Sequence, residues 1–178
     1  MPKATVGPGK KIFLEIGLIF SVVLLLVLAT HGRNEVWKSQ IGLELDGVKK
    51  SPHKARSYTN LTYAYVNAGI YDKALETGQK AIQLDPKAAY AYFNMGVAYQ
   101  NLGDLEKAIA MTRKAVELDP ELNLARLALA GMYFKNDQFE EAAEEYRKFL
   151  KLYPYFPNIH HLLGIIYASQ RKFGEAVA

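Results

Sequence analysis

The sequence predicts an all-α chain: one membrane-crossing helix followed by a solenoid of stacked, antiparallel helix pairs. Three observations carry this. Tyr65, Tyr99, Tyr133 and Tyr167 recur every 34 residues, and so do Ala74, Ala108, Ala142 and Ala176. Pro86, Pro120 and Pro154 punctuate the chain at the same interval. Residues 12–30 form a single apolar run of 19 residues. A fixed period between 20 and 50 residues marks units that cannot bury their apolar face alone and stack to do so.

The chain opens with a basic tail, residues 1–11, carrying Lys3, Lys10 and Lys11 among Pro2, Gly7, Pro8 and Gly9. The run IFLEIGLIFSVVLLLVLAT at 12–30 is about as long as a helix needs to cross a hydrocarbon core. Glu15 lies four residues after Lys11, near the entry end, where it can pair along the helix and reach the interface. The run exceeds a usual signal-peptide core, so it is read as a signal anchor. Cleavage near Val27-Leu28-Ala29 is the alternative. Three lysines precede the run, against Arg33 and Lys38 after it, which tilts the amino end toward the cytoplasm. The repeats are then expected outside it, in a periplasm or lumen.

Composition narrows the chemistry. The formal charge of +4 divides into +3 over residues 1–50 and +1 over 51–178, so the folded part is not a basic nucleic-acid face. The absence of cysteine excludes disulfides and thiolate metal sites. Adjacent His160 and His161 point about 100° apart on a helix and cannot share a metal as an i, i+4 pair would. No nucleophile–His–acid set or phosphate-cradling glycine loop is present. No catalytic residue, cofactor or metal is expected, and the chain is read as a non-enzyme. The run Glu140-Glu141-Glu144-Glu145 with Arg147 and Lys148 reads as a solvated helix face with local pairing.

Residues 34–50 show helical spacing of apolar positions and end at Ser51-Pro52, with Pro52 34 residues before Pro86. They are read as a half-repeat capping the open end of the first full unit, as solenoids require. Trp37 packs there or sits in an interfacial aromatic belt. Four units follow, at 55–88, 89–122, 123–156 and 157–178, the last cut short within its second helix.

In the second unit Tyr92, Met95, Gly96 and Tyr99 mark the first helix (A), and Ala108, Ala115 and Leu118 mark the second (B). This pattern resembles the tetratricopeptide repeat (TPR) family, which implies a right-handed solenoid of A and B helices. Gly96 and Gly164, with Thr62 and Ala130 elsewhere, stand small where helix A crosses helix B. The alanine column stands small for the same reason. Tyr71, Leu105, Phe139 and Phe173, with the tyrosine column, fill the space between units. Gly69 and Gly103 are placed to end helix A in a left-handed cap. Gly78 and Thr112 depart from the aromatic usual midway along helix B, which only Tyr146 supplies. Gly78 is expected to cost about 1 kcal/mol against Ala in a helix interior. Phe149 replaces a usual small residue.

The resemblance also implies a concave groove lined by A helices. Arg56, Thr59, Asn60, Tyr63 and Asn67 face it from unit one, and Tyr90, Phe93, Asn94, Val97 and Asn101 from unit two. Leu124, Leu127, Ala128, Gly131 and Phe134 follow from unit three, and Asn158, His161, Leu162 and Ile165 from unit four. This lining suits a protein or peptide partner, an apolar helix or an extended segment, and not a nucleic acid. The family's chaperone-tail clamp is not expected: its positions hold Thr59, Tyr63, Asn94, Leu124 and Ala128, and only Asn94 matches. Asn60 and Asn94 stand in register like the start of an asparagine ladder gripping a peptide backbone, which Ala128 and Leu162 interrupt. Inter-helix hydrogen bonding and simple surface exposure are the other readings of these amides.

Residues 31–60 carry a looser likeness. Arg33-Asn34-Glu35-Val36-Trp37, Lys50-Ser51-Pro52 and Ala55-Arg56 resemble the junction between membrane helix and repeats in TPR-bearing membrane O-mannosyltransferase-type glycosyltransferases. Their catalytic part has no counterpart here, so the likeness implies topology and not activity. The expected role is a membrane-anchored scaffold. A substrate-presenting module of such an enzyme and a self-associating homo-oligomer are the alternatives.

Overall fold

The computed structural model describes residues 39–169. The basic tail, the apolar run 12–30, Trp37, the start of the 34–50 half-repeat and residues 170–178 lie outside them. Among the described residues no helix is long and apolar enough to cross a membrane. Helix α1, Gln40–Lys50, buries no residue. Its first turn is capped by the Ser39 hydroxyl, which accepts from the Gly42 amide at 2.9 Å. The chain separates into two compact units at Asp46/Gly47, within α1.

Seven helices follow: α2 (Ala55–Asn67), α3 (Tyr71–Leu84), α4 (Ala89–Asn101), α5 (Leu105–Leu118), α6 (Asn123–Lys135), α7 (Phe139–Leu152) and α8 (Pro157–Ser169). They pair as α2/α3, α4/α5 and α6/α7, with α8 against α7. Each pair also packs on the next, and α2 touches α4 directly.

The turns inside the three pairs share one geometry. The amides of Ile70, Asp104 and Gln138 donate to the carbonyls of Tyr65, Tyr99 and Tyr133 at 2.9, 3.0 and 2.9 Å. With the inner bonds, in which the amides of Gly69, Gly103 and Asp137 donate to the carbonyls of Val66, Gln100 and Phe134, this is a Schellman cap. Its left-handed position holds Gly69 (φ 72°), Gly103 (φ 84°) and, in the third pair, Asp137 (φ 57°). The turns between pairs use another device. The Asp85 and Asp119 carboxylates accept from the amides of Lys87 and Glu121 at 2.9 and 3.1 Å, over Pro86 and Pro120. At the third junction the equivalent residue is Tyr153.

The core forms where small residues let helices approach. Ala74, Ala108 and Ala142 are fully buried, as are Thr62 and Ala130. A Cβ on Gly96 would lie 3.2 Å from the Ala108 carbonyl oxygen and the Thr112 amide nitrogen, and closer still to the Thr112 hydroxyl. Tyr65, Tyr133 and Tyr167 are each 7% exposed, while Tyr99 packs on the core and its ring meets the Lys107 ammonium. Across the first pair boundary the Tyr71 hydroxyl donates to Asn101 Oδ1 at 3.1 Å.

Two expectations change. Gly78 is not simply a weak point: it is buried, and a Cβ there would overlap the Met95 side chain, 2.8 Å from Sδ. Met95, 4% exposed, fills the room the glycine leaves. Thr112 is likewise fully buried, its hydroxyl 3.5 Å from Met132 Sδ. Glu145 does not belong to the solvated acidic face. It accepts from Arg126 Nη1 at 2.7 Å, both side chains being 12% exposed, while Arg126 Nη2 donates to the Pro120 carbonyl at 2.8 Å.

Candidate functional site

Three A helices expose large apolar side chains toward one another. Tyr63 on α2 is half exposed, Tyr90 on α4 is 56% exposed, and Leu124 on α6 is 67% exposed. Between them lies an open cleft of about 860 Å³. Its wall also includes Ala55, Arg56, Thr59, Asn60, Phe93, Asn94 and Leu118. Phe93 is only partly open because its ring packs on the buried group of Ala89, Ala115, Leu122 and Ala125.

The sequence-predicted groove residues divide. Asn60, Tyr63, Tyr90, Phe93, Asn94 and Leu124 come together in this cleft. Asn67, Val97, Asn101, Leu127, Phe134, His161 and Ile165 do not line it. Leu127 and Phe134 pack against the buried core of α5–α8, and the Phe134 ring stands edge-on to Phe139 at 5.8 Å. Asn101 is committed to its neighbours, donating to the Val97 carbonyl at 2.8 Å and accepting from Tyr71. His161 and Ile165 are exposed on α8.

Asn94 differs from its place in the proposed ladder. It is 5% exposed, and its Nδ2 donates to the Thr59 carbonyl of α2 at 3.4 Å. Its amide ties two A helices together, whereas Asn60 is exposed to the cleft.

Residues outside the A helices complete the wall. Asp85, Lys87 and Ala88 come from the α3–α4 turn, and Leu118 and Asp119 from the end of α5. The recurrence of Asp before Pro at 85/86 and 119/120 was the available signal, since the Asp-Pro turn brings that edge beside the helices. The rim holds two acids, Asp85 and Asp119, and two bases, Arg56 and Lys87. Among the described residues no three His, Asp or Glu side chains gather as metal ligands.

A second apolar surface escaped the sequence reading. In the α7–α8 turn Tyr155 is 96% exposed, with Leu152 at 60%, Tyr153 at 46% and Phe156 at 40%. Phe149 anchors the turn from below, its ring 4.9 Å from Tyr153 and 5.5 Å from Phe156.

Stacked helix pairs with Schellman turns and a cleft walled by alternate helices define a helical-repeat protein. Family models described as "Tetratricopeptide repeat" and "TPR repeat" match residues 89–122 and residues 63–103 and 130–170, respectively. The chain belongs to the tetratricopeptide repeat family. A search of curated proteins found no match. Among solved structures, a crystal structure of MamA is 25% identical, with a TM-score of 0.68 over 77% of this chain and 80% of that one. The first TPR of Spaghetti (RPAP3), bound to the HSP90 peptide SRMEEVD, is 24% identical, with a TM-score of 0.61 over 66% and 94%. Cut9, from the APC/C hetero-tetramer Cut9-Hcn1, is 19% identical with a TM-score of 0.64, over 81% of this chain and 27% of that one.

Proposed function

We propose that the chain is a non-catalytic scaffold that binds a protein or peptide partner in the α2–α4–α6 cleft. Residues 12–30 tether it to a membrane, with the repeats on the extracytoplasmic side. One observation carries the binding assignment: Tyr63, Tyr90 and Leu124 leave much of their apolar surface in water, and they do so inside one concavity. Fold maintenance does not require that exposure, and burying these side chains against a partner returns it as affinity. The neighbouring TPR of RPAP3 is described with an acidic peptide. Here the cleft offers aromatic and aliphatic surface with mixed rim charges, which suits an apolar segment better than an acidic tail.

The test is recovery of partners by the full chain against a Tyr90→Ala/Phe93→Ala variant. Loss of one or more partners is expected; equal recovery of every partner overturns the cleft assignment. The tether is tested separately, by deleting residues 12–30. The shortened chain is expected in the soluble fraction, and its retention on membranes overturns the tether.

A further inference from the structure

The chain supplies its own standard for what an inter-pair turn needs. The first two turns present Asp85 and Lys87, then Asp119 and Glu121, all polar and three of them markedly exposed. At the matching positions the third turn presents Tyr153 and Tyr155. The fold closes the earlier turns without aromatics, so packing does not explain a tyrosine 96% exposed. A projecting apolar turn of this kind is surface suited to burial against a partner.

We infer that this turn, Leu152–Phe156, docks into the α2–α4–α6 cleft of a second copy of the chain. The inference rests on the cleft reading above and names one occupant for it. The turn is continuous with the cleft: Asn123 Nδ2 donates to the Tyr153 hydroxyl at 3.3 Å, and the next residue, Leu124, is cleft wall. Yet Tyr155 stays in solvent and does not enter the cleft beside it. Projection and cavity therefore lie side by side on one edge of the molecule. A two-fold rotation sets each projection over the other copy's cavity, which gives a closed, self-complementary dimer. Each aromatic that docks fully buries roughly 150–250 Å². With the turns' partial exposure, and the cleft surface facing them in both copies, the total comes to on the order of the 1,200–2,000 Å² of a stable interface. Arg147 and Lys151, exposed beside the turn, can face the acids Asp85 and Asp119 of a rim that also holds Arg56 and Lys87.

The chain has no cysteine, so introduced thiols report without interference. Full-length Tyr155→Cys and Leu124→Cys chains, both altered at exposed positions, are mixed in detergent and mildly oxidised. The expected product is a mixed 124–155 disulfide dimer, with a yield falling roughly tenfold when Phe156→Ser is added to the Tyr155→Cys chain. Absence of the mixed product over a wide concentration range overturns the inference, as does 155–155 cross-linking of equal yield. A Tyr155→Ser chain separates this from the cleft assignment. If cross-linking fails while Tyr90→Ala/Phe93→Ala still loses partners that Tyr155→Ser retains, the dimer falls and the cleft stands.

Discussion

Met95 of one helix pair sits in the space left by Gly78 of the pair before it. A Cβ on Gly78 would also come 3.4 Å from Thr62 Cγ2, so the glycine is closed in from both sides. Ala would gain about 1 kcal/mol of helix propensity but overpack the contact by about 1–3 kcal/mol. Gly78→Ala is therefore expected to lower stability by about 1 kcal/mol in urea denaturation followed by helical circular dichroism. Adding Met95→Ala should make the Gly78→Ala change favourable. A stabilised single variant would refute the packing account.

Arg126 joins the Pro120 turn to the Glu145 carboxylate of the partner helix, largely out of water. Removing the guanidinium leaves a mostly buried carboxylate with Lys148 as its remaining cation, 2.8 Å away. Arg126→Met is expected to cost about 2–3 kcal/mol. Arg126→Met/Glu145→Leu should recover part of that loss, because no unpaired charge remains. An Arg126→Met protein as stable as the parent would show that the pair carries no net weight.

Asp137 holds the left-handed cap position that Gly69 and Gly103 hold in the other pairs. A Cβ in that conformation costs about 1 kcal/mol, less for Asp than for most residues. Glycine also gives the unfolded chain more freedom, which offsets part of the gain. Asp137→Gly is expected to raise stability by about 0.5 kcal/mol, seen as a higher Tm. Gly103→Ala should lower it by about 1 kcal/mol, although nothing lies within 4 Å of the new methyl.

Asp104 caps α5, accepting from the Lys107 amide at 3.1 Å and the Lys107 ammonium at 2.7 Å. The ammonium first, and then the amide, holds the Asp104 carboxyl below its ordinary value, and the carboxylate in turn raises the Lys107 ammonium. The Lys148 ammonium lowers Glu144 and is itself raised, by Glu144 first and then Glu145. For the acids, folded pKa values below the unfolded ones mean stability present above the unfolded value and lost as pH falls through the folded one. For the lysines, stability is present below the unfolded value and is lost as pH rises through the folded one. Denaturation midpoints should thus be flat between the two ranges and fall outside them. Asp104→Asn keeps a capping oxygen and should shrink the acid-side fall; an unchanged acid limb would count against this linkage.

The 34-residue period made the helix pairs and their turns legible, because the tyrosine and alanine columns mark packing that the three described pairs repeat. It also placed Asn60, Tyr63, Tyr90, Phe93, Asn94 and Leu124 on the side where the cleft lies. Register alone could not tell a side chain facing the cleft from one drawn between helices. Asn94 and Phe134 share the periodicity of open positions but are held by Thr59 and Phe139. The turn tyrosines were missed for the opposite reason. Their meaning lies in departing from the period, and a search for recurrence passes over them.

The Gly78–Met95 fit bears on how such a chain can change by recombination. Its described helix pairs look alike, but their mating surfaces do not: Met95 fills the space beside Gly78 at one joint, whereas Tyr146 occupies the matching position in a later pair. Shuffling or deleting a whole module would press a bulky ring onto a methionine or leave a hollow. The sequence thereby encodes the order of its parts as well as their shape.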